Sequence, residues 1–112
     1  MIGEYDFGQI AVDGKVYNSD LIILPDRVIA NWWRQEGHRL AVDDLQDVIA
    51  AEVEVLVVGT GKFGAMKVPP ETVQALQAHG IELEIAPTEQ ACQIFEHLCD
   101  QKRTAAALHL TC

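Results

Sequence analysis

Serine is nearly absent from this chain. Ser19 is the only one in 112 residues, in a turn beside Asn18 and Asp20, and nothing marks a base for it. A hydroxyl nucleophile with a partner base is therefore not indicated, and no carboxylate pair stands out from the acidic background. Cysteine is scarce too: Cys92, Cys99 and Cys112 form an odd set with no CxxC pair. Seven residues along a predicted helix separate Cys92 from Cys99 by about 10 Å, beyond disulfide reach. Free thiols fit a reducing compartment. His109 and Cys112 lie close together, but zinc needs three or four ligands and no second close His/Cys pair is apparent, so no metal site is read. Basic residues are also few, eight Lys and Arg against seventeen Asp and Glu, for a net charge of −9. Such a field disfavours nucleic acid and anionic membrane surfaces. No window is apolar enough to span a bilayer, so no membrane insertion is expected. Met1-Ile2-Gly3-Glu4-Tyr5-Asp6 has neither signal-peptide nor transit-peptide patterning, and a cytoplasmic protein is the expectation.

What is present suits one domain over residues 1–112 with a real core, since 49% of the residues are hydrophobic. The first third reads as β. Gln9–Val12, Asp13-Gly14 and Lys15–Tyr17 spell a hairpin with a type I′ turn. Leu21–Leu24 is a short strand stopped by Pro25-Asp26. Val28–Arg34 reads as another, with Trp32 and Trp33 on opposite faces. Helix and strand then alternate. Val42, Leu45, Val48 and Ile49 have helical spacing, and Val53–Val58 is a strand type buried on both faces. Pro69-Pro70-Glu71 opens a helix that Gly80 ends. Ile81–Ile85 is a strand, and Thr88 is placed as the cap of the longest helix, with Ala91, Ile94, Phe95, Leu98 and Cys99 as its buried stripe. Ala105–Leu110 is the last strand. This order predicts an α/β fold of three layers: a central mixed β-sheet with packed helices, parallel across the αβ units, plus a small N-terminal β-layer.

One motif carries chemical promise. Gly59, Gly61 and Gly64 follow the apolar strand at dinucleotide-motif spacing, and Glu82 or Glu84 lies near where a ribose-binding acid would be. A dinucleotide helix must open within the glycines, whereas Pro69 and Pro70 delay this one. A phosphate-binding P-loop fails as well, because Ala65-Met66 stands in place of Lys-Ser. Two readings remain. The glycines let the chain leave the strand through positive φ, or Gly59, Thr60, Gly61, Lys62 and Gly64, with Lys67 nearby, cradle a small anionic ligand. A separate surface, Trp33-Arg34 with His38, has the composition of a partner-binding hot spot if one indole is exposed.

The segments Trp33-Arg34, Gly37-His38, Val57-Val58-Gly59-Thr60-Gly61, Thr88-x-x-Ala91 and Ala105-Ala106-Ala107-Leu108-His109 together resemble the domain-of-unknown-function family 498, also called the MTH 938-like family, from Gly8-Gln9-Ile10 to Cys112. The resemblance implies a three-layer α/β fold with a central mixed sheet and a small β-layer. Its eukaryotic relatives include the mitochondrial complex I assembly factor 3, so it implies an interaction or assembly role and supplies no catalytic residue and no cofactor. The expectation is a soluble, non-enzymatic protein-interaction or assembly-factor-like module. The alternative is a small-molecule or anion-binding protein, or a weak enzyme, on the Gly59–Gly64 loop. The partner is not specified, and a homo-oligomer is compatible with the chain.

Overall fold

The computed structural model describes residues 1–112. Asp13 and Gly14 both take the left-handed conformation, with φ of 50° and 81°, as a type I′ turn requires. They join β2 (Gln9–Val12) to β3 (Lys15–Tyr17) with Val12 opposite Lys15. A strand that sequence reading does not identify, β1 (Ile2–Asp6), pairs antiparallel with β2 and completes a three-stranded sheet. Only Ile2 and Tyr5 of β1 are half-buried and the register shifts between them, so its sequence shows no two-residue alternation.

The second sheet has five strands in the order β5-β4-β8-β6-β7: β4 (Leu21–Ile23), β5 (Val28–Ile29), β6 (Val55–Thr60), β7 (Glu82–Ala86) and β8 (Thr104–His109). β6 runs parallel to β7 and β8, while β4 is antiparallel to β8 and to β5. The long strand expected over Val28–Arg34 stops after two residues. Asn31 turns to φ 55°, and the Trp32 N–H leaves the ladder to donate to Asp20 O at 2.8 Å.

β6 and β8 are buried at every position, which is why their sequences are apolar without alternation. On one face, Leu56, Val58, Ala105 and Ala107 pack with Leu45, with Val48 of α1 (Gln46–Ala50) and with Leu76 of α2 (Pro70–Ala78). A short 3-10 turn, Val42–Leu45, leads into α1. On the other face, Val55, Val57, Ala106 and Leu108 meet Ala91 and Phe95 of α3 (Thr88–Leu98) and Ile10 and Val12 of the small sheet. These are the three layers. α2 starts at Pro70, after Pro69 in extended conformation, and Gly80 at φ 75° closes its end.

β6 continues through Gly59 and Thr60, paired with Leu108 and His109, so these two residues lie in the sheet and not in the following loop. Gly59 is needed for close approach. A Cβ there would lie 2.9 Å from the Thr88 hydroxyl oxygen and the Leu108 side chain, and 3.2 Å from the Thr88 Cα. Gly59→Ala is expected to lose about 1–3 kcal/mol by overpacking. Gly37→Ala, where a Cβ meets nothing within 4 Å, should change stability by less than about 0.5 kcal/mol. Urea denaturation of both variants checks this, and equal midpoints would refute the packing of α3 on Gly59.

Candidate functional site

The carboxyl ends of the parallel strands β6, β7 and β8 gather most of the residues that the sequence singles out. Asp20, just before β4, is the centre. Its Oδ2 accepts from His109 Nδ1 at 2.7 Å and from Arg34 Nη2 at 2.8 Å. Its Oδ1 accepts from the Leu110 N–H at 2.8 Å. Arg34 also donates through Nε and Nη2 to Gly37 O, and its guanidinium lies 4.7 Å from the Trp32 ring centroid. Burial works against the ionised form of Asp20, but the hydrogen bonds from His109, Leu110 and Arg34 outweigh it and hold the carboxyl below its ordinary value. Arg34 Nη1 and His109 Nε2 are buried without a hydrogen-bond partner. The exposed His38 ring stands edge-on to His109, 5.6 Å between centroids.

Sequence reasoning places Arg34 on the surface beside Trp33, and here it needs correction. Arg34 is buried, held by a carboxylate that lies next to the lone serine in a segment with turn composition. Trp33 is the exposed indole, 76% accessible, while Trp32 is buried with its Nε1–H donating to Asp44 O at 3.0 Å.

The glycine loop folds onto residues 109–112. The Gly61 N–H donates to Thr88 Oγ1 at 2.8 Å. The Lys62 N–H goes to Thr111 O at 2.6 Å, Gly64 to Gly61 O, Ala65 to Cys112 O at 2.9 Å and Met66 to Thr60 O. Each of these backbone donors is committed within the chain, which leaves no row of N–H groups aimed outward at an anion. Gly61 has φ 104°, and a Cβ there would lie 2.3 Å from the Cys112 carbonyl carbon. The space beside it is filled by backbone. The exposed Lys62 ammonium lies 3.6 Å from Asp6. Thr88 does not cap α3. Its hydroxyl donates to His109 O at 2.5 Å while accepting from Gly61, so one side chain ties α3, β8 and the loop together.

Two residues absent from the sequence reasoning join this end of the molecule. Phe63 and Phe7 are 77% and 50% exposed, with ring centroids 6.4 Å apart. Their segments rest on residues 110–112: Gly8 N–H and the Tyr5 hydroxyl both donate to Leu110 O at 2.9 Å, and the Lys62 N–H donates to Thr111 O. An apolar side chain inside a glycine motif is the available signal for Phe63. Cys92 is buried on α3, and burial, then the Glu96 and Glu89 carboxylates, push its thiol up to about 12, which makes it a poor nucleophile. No group of three or more His, Cys, Asp or Glu side chains is arranged to hold a metal ion. No helix is long and apolar enough to cross a membrane.

The family model described as "Protein of unknown function (DUF498/DUF598)" matches residues 2–109. NADH dehydrogenase [ubiquinone] 1 alpha subcomplex assembly factor 3 of Mus musculus is 29% identical over 111 residues, covering 96% of this chain and 58% of that protein. The Homo sapiens protein of the same name is also 29% identical, with 59% of its length covered. The chain thus spans less than two thirds of these relatives. Among solved structures, a conserved hypothetical protein from Pyrococcus horikoshii OT3 superposes with a TM-score of 0.85 at 29% identity, covering 100% of this chain and 99% of that one. A Mth938-like domain protein from Bordetella pertussis shares the fold at a TM-score of 0.79 and 23% identity, over 97% of this chain and 84% of that one.

A carboxyl held below its unfolded value stabilises the fold above that unfolded value, and the contribution is lost as pH falls through the folded one. Stability should therefore fall on acidification below about pH 4. Asp20→Asn is expected to cost about 3 kcal/mol at pH 7, because Arg34 is left buried without its counter-charge, and to flatten the acid limb. Urea titrations of both proteins across this range check the assignment; parallel pH profiles would contradict it.

Proposed function

The chain belongs to the DUF498/DUF598 family, and on that premise we propose that it is a non-enzymatic, assembly-factor-like protein that docks a protein partner on the face carrying Phe7, Trp33 and Phe63. The observation behind this reading is the exposure of these three large apolar side chains, at 50%, 76% and 77%; the Phe7 and Phe63 segments are hydrogen-bonded to residues 110–112, and Trp33 adjoins Arg34, which shares Asp20 with His109. Aromatic side chains held on a rigid base lose little entropy on binding, and each buries about 150–250 Å² when covered. Exposed His38 and Lys62 supply a polar rim, as partner surfaces commonly have. The assembly-factor names of relatives at 29% identity support a protein partner rather than a substrate. Ser19 donates its hydroxyl to Asn31 Oδ1 at 2.6 Å and faces no base. Three free thiols suit a reducing compartment, and the cytoplasm is our placement.

Replacing an exposed anchor should weaken binding without unfolding the chain. Trp33→Ala is expected to lower the affinity for a co-purifying partner about 30-fold, the effect of losing about 2 kcal/mol at a hot spot. The denaturation midpoint should stay within about 0.5 kcal/mol of wild type. Quantitative pull-down with wild type, Trp33→Ala and a Phe7/Trp33/Phe63 triple alanine variant tests it. Equal partner recovery by all three would refute the aromatic face.

A further inference from the structure

β7 is an edge strand, bonded to β6 on one side only. Glu82 N–H donates inward to Glu54 O at 2.9 Å. Backbone directions alternate along a strand, so Glu84 and Ala86 also face β6, and Thr60 Oγ1 does reach Ala86 O from that side. Leu83 and Ile85 therefore turn their N–H and C=O groups outward, leaving two donors and two acceptors open along the edge. The side chains alternate in the same way. Leu83 packs with the α2-side core, whereas Glu82 and Glu84 line a groove of about 390 Å³ against Gln93, Ile94, His97 and Leu98 of α3. Ile85 projects on the α2 side and is 47% exposed.

We propose that this edge and groove accept an extended basic segment of a partner protein, added as a sixth strand beside β7, with Lys or Arg at alternate positions facing Glu82 and Glu84 and apolar residues between them facing Ile85. Backbone pairing at Leu83 and Ile85 supplies the register, and the two carboxylates select the charge. A second copy of this chain is a poor occupant, because pairing β7 with itself would set glutamates against glutamates between molecules of net charge −9. Lys102 already lies 3.7 Å from Glu82, but that contact is solvent-exposed and weak enough to yield to a better-placed cation. This surface is distinct from the aromatic face and stands or falls separately.

The test uses an eight-residue peptide alternating lysine and valine, with an alternating glutamate and valine peptide as control. Fluorescence anisotropy gives affinity and amide chemical shifts give the location. The lysine peptide should bind at least tenfold more tightly than the control, shift the Leu83 and Ile85 amides, and weaken with salt. Ile85→Pro removes an outward donor without touching the β6 ladder, and Glu82→Gln with Glu84→Gln removes the charge. Each should lower affinity at least tenfold, while Trp33→Ala leaves it unchanged. Equal binding of the two peptides, shifts centred elsewhere, or full affinity in a folded Ile85→Pro or in the double glutamine variant would overturn the proposal. Concentration-dependent β7 shifts without peptide would overturn it in favour of self-pairing.

Discussion

Asp20 receives three donors from two other parts of the chain: Arg34, and His109 with the Leu110 N–H, the last two 89 and 90 positions away. Its backbone carbonyl takes a fourth, from Trp32. Burying a carboxylate and a guanidinium costs several kcal/mol each, and the cost is recovered only when geometry and further hydrogen bonds are good. Here both oxygens of Asp20 and two nitrogens of Arg34 are used, and the Trp32 ring covers the guanidinium. The cluster fixes where residues 109–112 lie. From those residues hang the Phe7 turn, the Phe63 loop and, through Arg34, Trp33.

Thr88 extends the same logic to the other face of the sheet. Its hydroxyl fills the space that a Cβ on Gly59 would need and bridges Gly61 to His109 O. The glycine motif is thereby explained by packing. Gly59 admits α3, and Gly61 admits the backbone of Cys112 at a φ that side chains rarely adopt. A motif with dinucleotide spacing and a structural purpose is what the late start of α2 at Pro70 implies.

Local signals are legible in the sequence and distant pairings are not. Asp13-Gly14, Pro70 and Gly80 act through their own backbone preferences, so the hairpin and both ends of α2 can be read directly. The apolar runs of β6 and β8 announce a sheet covered on both faces. Burial of Arg34 cannot be read, because it depends on a carboxylate supplied by a different element. Thr88 has the residue type of a helix cap, and only the fold reveals the acceptor that draws its hydroxyl away. His38 can be read as a surface residue, the adjacent Trp32 and Trp33 leave open which indole is exposed, and Phe7 and Phe63 escape because each resembles core in a one-dimensional reading.

The family fold is shared by proteins of diverse description, so what this chain does must reside in its surfaces and not in its topology. Those surfaces divide by physics. A net charge of −9 acts at a distance of about one Debye length and raises the encounter rate with basic partners, yet adds little residence time. Exposed aromatic rings act only on contact and govern dissociation. On the proposed reading, an acidic chain with exposed aromatic anchors would have a means to capture and a separate means to hold. The best-organised charges here, Asp20 and Arg34, are spent inside the fold, on each other, on Gly37 O, on His109 and on the Leu110 N–H.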